Sequence, residues 1–269
     1  MKYLKKFETE NDRTSYENGE SYIEPYVSYV EENNSVHYNK PVLETKLVVY
    51  YDIQDISSPT TICTNYDSSV KSIEVDGVLL DSVVTTYQFN SVGEHIIKYE
   101  FNNPTTVGNS APLFMGIATI KRAVIADTFT SIGNYAFGGC GSLTSIIIGN
   151  NVTSIGGYTF GGCSGLTSVN IPNSVTSIGD WAFRDCSGLT SVTIGNSVTS
   201  IGSYAFDGCM NLNSITSLAT TAPTISNYTF NKVKTGGTLT VPSSSTGYDV
   251  WMGTGDYYLG KYNWTMVVQ

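Results

Sequence analysis

The sequence CSGLTSVTIGNSVTSIGSYAFDG, residues 186–208, decides the fold of this chain because it is one of several copies of a 23-residue unit. Side chains of one type recur at the same step in three columns. These columns are Cys140, Cys163, Cys186 and Cys209; Phe137, Phe160, Phe183 and Phe206; and Leu143, Leu166, Leu189 and Leu212. A strict period in this range predicts a solenoid, in which each repeat forms one coil and stacks its apolar residues on the next coil.

Each unit reads as two short strands joined by a turn and closed by a corner. The stretch LTSVTI, residues 189–194, alternates apolar and hydroxyl side chains, which is typical of a strand in a parallel sheet. The GNS that follows is a turn signal, and a second extended piece covers 198–201. The corner YAFDGC, residues 204–209, is too short for a full helix and predicts a single helical or 3₁₀ turn.

The pattern LTSVxIxxSVTSIGxxAFxxC resembles the BspA-type, or Treponema pallidum-type, leucine-rich repeat of surface proteins from oral and gut anaerobes. The match is strong over about 129–218 and weaker over about 104–245. The resemblance implies a column of parallel strands beside a second column of short strands or turns, and it implies no catalytic residue. The predicted fold class is therefore mainly β: a right-handed leucine-rich-repeat solenoid of about five coils, with parallel strands and short helical or 3₁₀ turns.

The cysteine column predicts reduced thiols in the core. The slot three residues after each Phe holds Ile117 at one end of the ladder and Val233 at the other, so aliphatic residues can replace Cys there. Disulfides between coils are the alternative, because stacked strands lie within the Cα range of the bond. Parallel Cβ vectors suit that bond poorly, and zinc would need paired, clustered ligands that the sequence lacks.

Four segments divide the chain. We expect an N-terminal helix and hairpin module over 1–42, a small β-sandwich-like (immunoglobulin-like) module over 43–103, the repeats over 104–245 and a C-terminal cap over 246–269. In the first segment the sequence predicts a helix at about 10–18 and a hairpin of strands 26–31 and 36–39. This segment resembles a module of structural and repeat proteins from gut bacteria and their phages.

The small β module precedes the solenoid and is expected to cover its first coil, which otherwise leaves an open sheet edge. Its predicted strands are 43–51, 60–64, 71–75, 78–81, 86–90 and 95–101. Asp76-Gly77 is a strong two-residue hairpin signal. The tail after Val241 carries Trp251, Tyr257, Tyr258, Tyr262 and Trp264, and it resembles the cap that the last coil of a solenoid needs.

Composition limits the function classes. The net charge of −9 argues against a nucleic-acid partner, which needs a positive footprint. Charged residues are sparse in the repeats, with four of 37 in residues 129–218. No apolar run reaches a membrane span. MKYLKKFETENDR lacks the apolar region of a secretory signal, and the initial Met favours a complete reading frame without one, although the resemblance implies a surface location.

The residues offer little for catalysis. His37 and His95 lie in predicted strands, and no nucleophile elbow, phosphate loop or zinc signature is present. Asp180, Asp185 and Asp207 do not recur as a column, which argues against a calcium array. We therefore expect no enzyme, no cofactor and no metal site.

Two columns of side chains could instead bind a ligand. The polar strand column consists of Ser145, Ile147, Ser168, Asn170, Ser191, Thr193, Ser214 and Thr216. The aromatic column consists of Tyr135, Tyr158, Trp181, Tyr204 and Tyr228. Either could be a contact surface; the alternatives are a solvated sheet and rings packed over the corners. The candidate ligand-binding residues are Tyr135, Tyr158, Trp181, Tyr204, Ser168, Asn170, Ser191 and Thr193.

The predicted function is non-catalytic binding or adhesion, with a protein or glycan ligand on a host or bacterial surface and a location at the cell surface or outside the cell. The alternative is a structural or receptor-binding part of a phage or prophage particle, which would make the protein virion-associated or cytoplasmic. Tail and capsid genes beside this gene would favour the alternative, and genes of surface proteins would favour adhesion.

The Phe column also leads to a prediction about stability. Phe160→Ala, in a middle coil, should destabilise the protein more than Phe230→Ala in a less regular one.

Overall fold

A computed structural model describes residues 28–30, 36–38, 46–64, 70–102, 106–108, 112–255 and 258–269. The chain divides into two compact units, residues 1–44 and residues 45–269. In the first unit, β1 (Ser28–Val30) pairs antiparallel with β2 (Val36–Tyr38), which confirms the predicted hairpin. The helix predicted at 10–18 lies outside the described residues.

The second unit begins with six short strands that match the predicted ones to within a few residues. They are β3 (Lys46–Ile53), β4 (Thr60–Thr61), β5 (Val70–Val75), β6 (Val78–Leu79), β7 (Thr86–Tyr87) and β8 (Gly93–Phe101). Asp76 and Gly77 both have positive φ, 49° and 85°, as a two-residue hairpin turn between β5 and β6 requires. A separate ribbon of β4 and β7 lies beside the sheet, and the buried hydroxyls of Tyr51 and Tyr99 both donate to the carbonyl oxygen of Ile62.

The solenoid follows, with two strand columns. In chain order its strands are β9 (Thr106–Val107), β10 (Ile120–Ile125), β11 (Ser131–Ile132), β12 (Ser145–Ile147), β13 (Ser154–Ile155), β14 (Ser168–Ile171), β15 (Ser177–Ile178), β16 (Ser191–Ile194), β17 (Ser200–Ile201), β18 (Ser214–Ser217), β19 (Thr224–Ile225), β20 (Thr238–Val241) and β21 (Thr265–Val268). The main column holds the seven strands β10, β12, β14, β16, β18, β20 and β21. The expectation of about five coils was too low, because coils at both ends keep the fold after losing most of the repeat pattern.

The three larger sheets show how the small β module joins the solenoid. One sheet has the order β12-β10-β3-β8-β5-β6, in which β10 pairs parallel with β12 and antiparallel with β3. Strand β3 therefore covers the edge of the first coil, as predicted. The second sheet has the order β14-β16-β18-β20-β21, and the third joins β9, β11, β13, β15, β17 and β19 in register. The mainly β, leucine-rich-repeat solenoid class is confirmed; the four domain boundaries stay predictions.

The corners differ from the single helical or 3₁₀ turn that was predicted. Local N–H to C=O bonds of the 3₁₀ kind do occur, as from Cys140 to Phe137 at 3.1 Å. However, alternate residues donate to the next coil instead, as Phe137 does to Thr159 at 2.9 Å. This alternation requires a left-handed residue in each corner, and Tyr135 takes that role with φ of 59°. The only 3₁₀ helix among the described residues is Leu259–Tyr262, in the cap.

The core is organised around a continuous stack of phenylalanine rings. Successive ring centroids are 5.0 to 5.8 Å apart from Phe114 to Phe230, and the stack comprises Phe114, Phe137, Phe160, Phe183, Phe206 and Phe230. Tyr99 of the small β module closes one end at 5.1 Å, and Trp251 of the cap closes the other at 5.1 Å. The stack therefore joins the module, the repeats and the cap in one apolar core.

The cap seals the last coil with hydrogen bonds from aromatic side chains. The hydroxyl of Tyr248 donates to Ser217 Oγ at 2.6 Å, and the indole N–H of Trp251 donates to the carbonyl oxygen of Pro223 at 3.0 Å. Trp264 donates to the carbonyl oxygen of Lys234 at 2.7 Å. Tyr257 lies outside the described residues.

Candidate functional site

The polar strand column lies on the outer face of the main strands. Its members pair in register across parallel strands, with Ser168 opposite Ser191 and Asn170 opposite Thr193. Val169 and Val192, between them in sequence, point inward and are buried. The structure therefore places short polar side chains in two parallel rows, at the strand spacing of about 4.8 Å. Ser168 and Asn170 are exposed and Ser191 and Thr193 partly exposed.

The structure does not keep the polar strand column in one sheet. Ser145 and Ile147 belong to β12, which pairs with β10 in the sheet of the small β module. Ser214 and Thr216 continue the rows on β18, opposite Ser191 and Thr193. The regular surface thus begins at Ser168, and it extends one strand further than predicted, because Thr238 and Thr240 of β20 follow in register.

The aromatic column sits in the corners, and its backbone conformation is unusual. All five residues have φ between 53° and 61°, a left-handed region that side chains with a Cβ rarely adopt. The alternating hydrogen bonds of the corner impose this conformation, as at Tyr158, whose N–H donates to the carbonyl oxygen of Asp180 in the next coil at 2.9 Å. The fold therefore fixes the left-handed backbone conformation at these five positions, whichever residue type occupies them.

The rings of the aromatic column mostly face one another along the solenoid axis. Trp181 and Tyr204 stack with centroids 6.2 Å apart, and Tyr204 and Tyr228 with centroids 4.8 Å apart. Tyr135 and Tyr158 form a second, tilted pair at 5.4 Å. Solvent therefore reaches mainly the ring edges of the interior rings, and a ligand can contact a full ring face only where the column is interrupted.

A polar network fills the same corners in the later coils, and the sequence did not reveal it. The Asp207 carboxylate is buried; it accepts from Arg184 Nε at 3.2 Å and from Asn231 Nδ2 at 2.8 Å. The Asn231 side-chain oxygen in turn accepts from the Tyr262 hydroxyl of the cap at 3.2 Å. The feature of the sequence that could have indicated this network is Arg184-Asp185, which replaces the Gly-Gly pair of the earlier corners and so changes what packs against the corner.

The four ladder cysteines, Cys140, Cys163, Cys186 and Cys209, are buried neutral thiols and are therefore unreactive towards a ligand. All four are buried free thiols, and each donates to the carbonyl oxygen of the Phe one coil earlier, as Cys186 does to Phe160 at 3.1 Å. Burial raises the pKa of the Cys140 thiol to about 12, and it raises the pKa values of Cys163 and Cys186 well above the ordinary value. This confirms the prediction of reduced core cysteines, in a slot where Ile117 and Val233 are also buried.

The histidine in the small β module is also accounted for by structure. His95 is buried in β8; Nδ1 lies 2.6 Å from Asp76 Oδ2 and Nε2 lies 2.9 Å from the carbonyl oxygen of Ser91. Asp76 also accepts from the backbone N–H of Ile96, so this pair fixes the hairpin. Within the described ranges, no three His, Cys, Asp or Glu side chains are grouped as metal ligands. In the same residues, no helix has the length and apolar character to cross a membrane.

Comparison with known proteins adds the following. A family model described as "BspA type Leucine rich repeat region" matches residues 105–236 in six copies. No curated protein matches the chain significantly. Similar solved structures include a T. pallidum leucine-rich repeat protein, with 26% identity over 51% of this chain and a TM-score of 0.43. Others are a leucine rich cell surface protein from Faecalibacterium prausnitzii A2-165 (32% over 42%, 0.38) and a leucine-rich repeat protein from Bacteroides ovatus ATCC 8483 (25% over 66%, 0.44).

The chain spans 66%, 32% and 49% of those three structures, respectively. The family assignment therefore rests on the repeats themselves. The six matched copies coincide with the in-register strands and the Phe stack described above. Residues 105–236 of this chain are a BspA-type leucine-rich repeat region.

Proposed function

We propose that this protein is a non-catalytic binding protein that attaches through the surface of its repeats to a protein or glycan on a host or bacterial surface. One observation carries the proposal: the repeats present the same side chains, in register, over several coils. Repetition of shallow contacts gives a broad surface rather than a pocket, which suits recognition of an extended partner. Location at the cell surface or outside the cell is part of the proposal and agrees with the resemblance of the repeats.

The candidate contact residues are the exposed members of the two columns. Tyr135 and Trp181 are 43% and 39% exposed, and aromatic residues of this kind dominate binding energy at interfaces. Ser168, Asn170, Ser191 and Thr193 offer hydroxyl and amide groups at regular spacing. With many weak contacts, single changes such as Thr193→Ala should alter affinity little.

The test is capture of the whole protein on an array of immobilised glycans and host extracellular proteins. A triple variant with Tyr158, Trp181 and Tyr204 changed to Gly should lose the captured partner, because it removes three successive rings of the aromatic column. Gly is chosen because it keeps the left-handed backbone that these positions need. Circular dichroism must show that the variant remains folded. If the wild type captures nothing on the array, the proposed function is wrong; if the folded variant binds unchanged, the partner uses the polar strand column or the N-terminal modules.

A further inference from the structure

The last strand of the solenoid leaves one edge of the main column open. In the order β14-β16-β18-β20-β21, strand β21 pairs with β20 on one side and with no described strand on the other. The first coil is protected, because β3 covers β10, and β14 at the other end of the five-stranded sheet lies beside β12. Among the described strands, β21 is thus the only edge strand of four residues with no strand beside it.

The side chains of β21 that continue the core row are exposed. Met266 and Val268 pair in register with Leu239 and Val241 of β20, and both of these β20 residues are buried. However, Met266 is 40% exposed and Val268 is 55% exposed, since no described coil covers them. A strand edge is normally protected by a charged side chain, a proline or a bulge, and β21, with the sequence TMVV, has none of these.

The backbone of β21 also directs hydrogen-bonding groups at the open edge. The N–H groups of Thr265 and Gln269 donate to carbonyl oxygens of the preceding coil, both at 2.9 Å. Alternate residues of a strand bond to the same neighbour, so the N–H and C=O groups of Met266 and Val268 point away from β20. A row of such groups at a sheet edge is a template for pairing with a strand of another chain.

These groups match those of a second copy of the same strand. In an antiparallel pair related by a two-fold axis normal to the sheet, opposing residues point to the same face, so the axis passes through a residue and not between two. An axis through Val267 sets Met266 of each copy opposite Val268 of the other, and each such pair exchanges two N–H to C=O bonds. An axis through Met266 would require Trp264, whose N–H already donates to the carbonyl oxygen of Leu259.

The distribution of charge favours this end of the solenoid for contact between two copies. Residues 219–269 hold three Lys and two Asp, whereas residues 45–128 hold five Lys or Arg and nine Asp or Glu. Strand β21 itself carries no charged side chain. Pairing through β21 therefore joins the least acidic segments of a chain whose net charge is −9 and keeps electrostatic repulsion between the copies small.

We propose that two copies of this chain associate through β21, which pairs antiparallel with β21 of the second copy about a two-fold axis at Val267. The inner rows then meet, apolar against apolar, and the two five-stranded sheets become continuous. The contact is small, so we expect a weak dimer with a dissociation constant on the order of 100 µM. The dimer would carry two repeat surfaces, and the inference does not depend on the proposed binding function.

The test is analytical ultracentrifugation of the whole protein from about 10 µM to about 1 mM, over which the mass should rise from one copy towards two. Val267→Lys sets two like charges opposite each other at the axis and should weaken association at least about tenfold. Val267 points to the outer face, so this variant should keep the thermal midpoint of the wild type. Thr240→Lys, the matched control, adds the same charge in register on β20, away from the open edge, and should associate like the wild type.

A cysteine at the axis gives a second readout, which is a gain and not a loss. With diamide as the oxidant, Val267→Cys should form a disulfide-linked dimer. The two copies of this residue would face each other as a pair without mutual hydrogen bonds, with Cα atoms about 4.5 Å apart, which a disulfide tolerates. Thr240→Cys should form no such dimer, and the five native cysteines are buried.

A wild type that stays monomeric over the whole concentration range would overturn the inference and leave the binding function standing. Equal weakening in Val267→Lys and Thr240→Lys, or growth beyond two copies, would overturn it as well. If a monomeric wild type captures a partner on the array and Val267→Lys loses it, β21 takes a strand of another protein, and pairing with a second copy is wrong.

Discussion

At the scale of single residues, the repeated cysteines show how one position can serve both packing and hydrogen bonding. Each ladder thiol is buried and donates to a Phe carbonyl of the preceding coil, at 3.0 Å for Cys140 and 3.2 Å for Cys163. That carbonyl already accepts a local backbone N–H, as Phe137 does from Cys140. The thiol therefore donates to the second lone pair of that carbonyl oxygen. An aliphatic residue in the same slot leaves this lone pair without a donor but keeps the backbone buried.

The raised thiol pKa values predict a loss of stability at alkaline pH. In the unfolded chain a thiol ionises near its ordinary value of 9.0, whereas burial holds the pKa of Cys140 at about 12. Its contribution to stability is therefore complete below pH 9 and lost progressively between pH 9 and 12, because the unfolded state releases its proton first. For one thiol the loss between pH 9 and 10 is about 1 kcal/mol.

Cys140→Val should accordingly reduce the drop in unfolding free energy between pH 9 and pH 10 by about 1 kcal/mol, measured by urea denaturation. Leu143→Val, a buried change in the same coil without a titrating group, should keep the full drop. If Cys140→Val has the same pH dependence as the wild type, the thiol is not held in its neutral form by burial.

Close approach of adjacent coils predicts a second effect of single residues. A Cβ at Gly179 would lie 2.7 Å from the backbone of Gly156 and Gly157 in the preceding coil. Gly179→Ala should therefore destabilise the protein by about 1–3 kcal/mol through forced separation of the coils. Gly141→Ala, whose added Cβ would meet only Ser164 Oγ at 3.5 Å, is the matched control and should be nearly neutral. A thermal shift in both variants alike would contradict this reading.

At the scale of elements, the Phe stack determines how strongly each coil is held. The sequence suggests a smaller loss for Phe230→Ala than for Phe160→Ala, because the pattern around Phe230 is irregular. In the structure both rings are fully buried, and Trp251 lies against Phe230 in place of the next Phe. We therefore expect both substitutions to cost about 3–5 kcal/mol in unfolding free energy. A much smaller loss for Phe230→Ala would mean that the cap can close over the cavity.

The elements that sequence predicted well are those with strict periodicity. Leu189, Val192 and Ile194 alternate inward as expected, since the side-chain period of a strand is read directly from the residues. The corners were harder, because a left-handed Tyr or Trp is set by hydrogen bonds to the next coil, which no local pattern encodes.

At the scale of the whole molecule, residues 45–269 combine an antiparallel β module and a parallel solenoid around one core. The small β module is joined to the repeats by the antiparallel pairing of β3 with β10 and by the contact of Tyr99 with Phe114. Beyond this junction each coil contacts only its neighbours. The free energy of unfolding should therefore be the sum of the stability of each coil and of each interface between adjacent coils. A local change is therefore expected to act over a limited distance.

Hydrogen exchange measured by mass spectrometry can test that distance. Ile97 of β8 and Leu239 of β20 are both fully buried, at opposite ends of this unit. Ile97→Ala should accelerate exchange most in β3 and β5, which both pair with β8, and least in β20, because the loss is transmitted through neighbouring strands. Leu239→Ala should show the reverse gradient, with β18 and β21 most affected, since both pair with β20. If either variant accelerates exchange by the same factor in every strand, residues 45–269 open as one cooperative block, and the nearest-neighbour description of this solenoid fails.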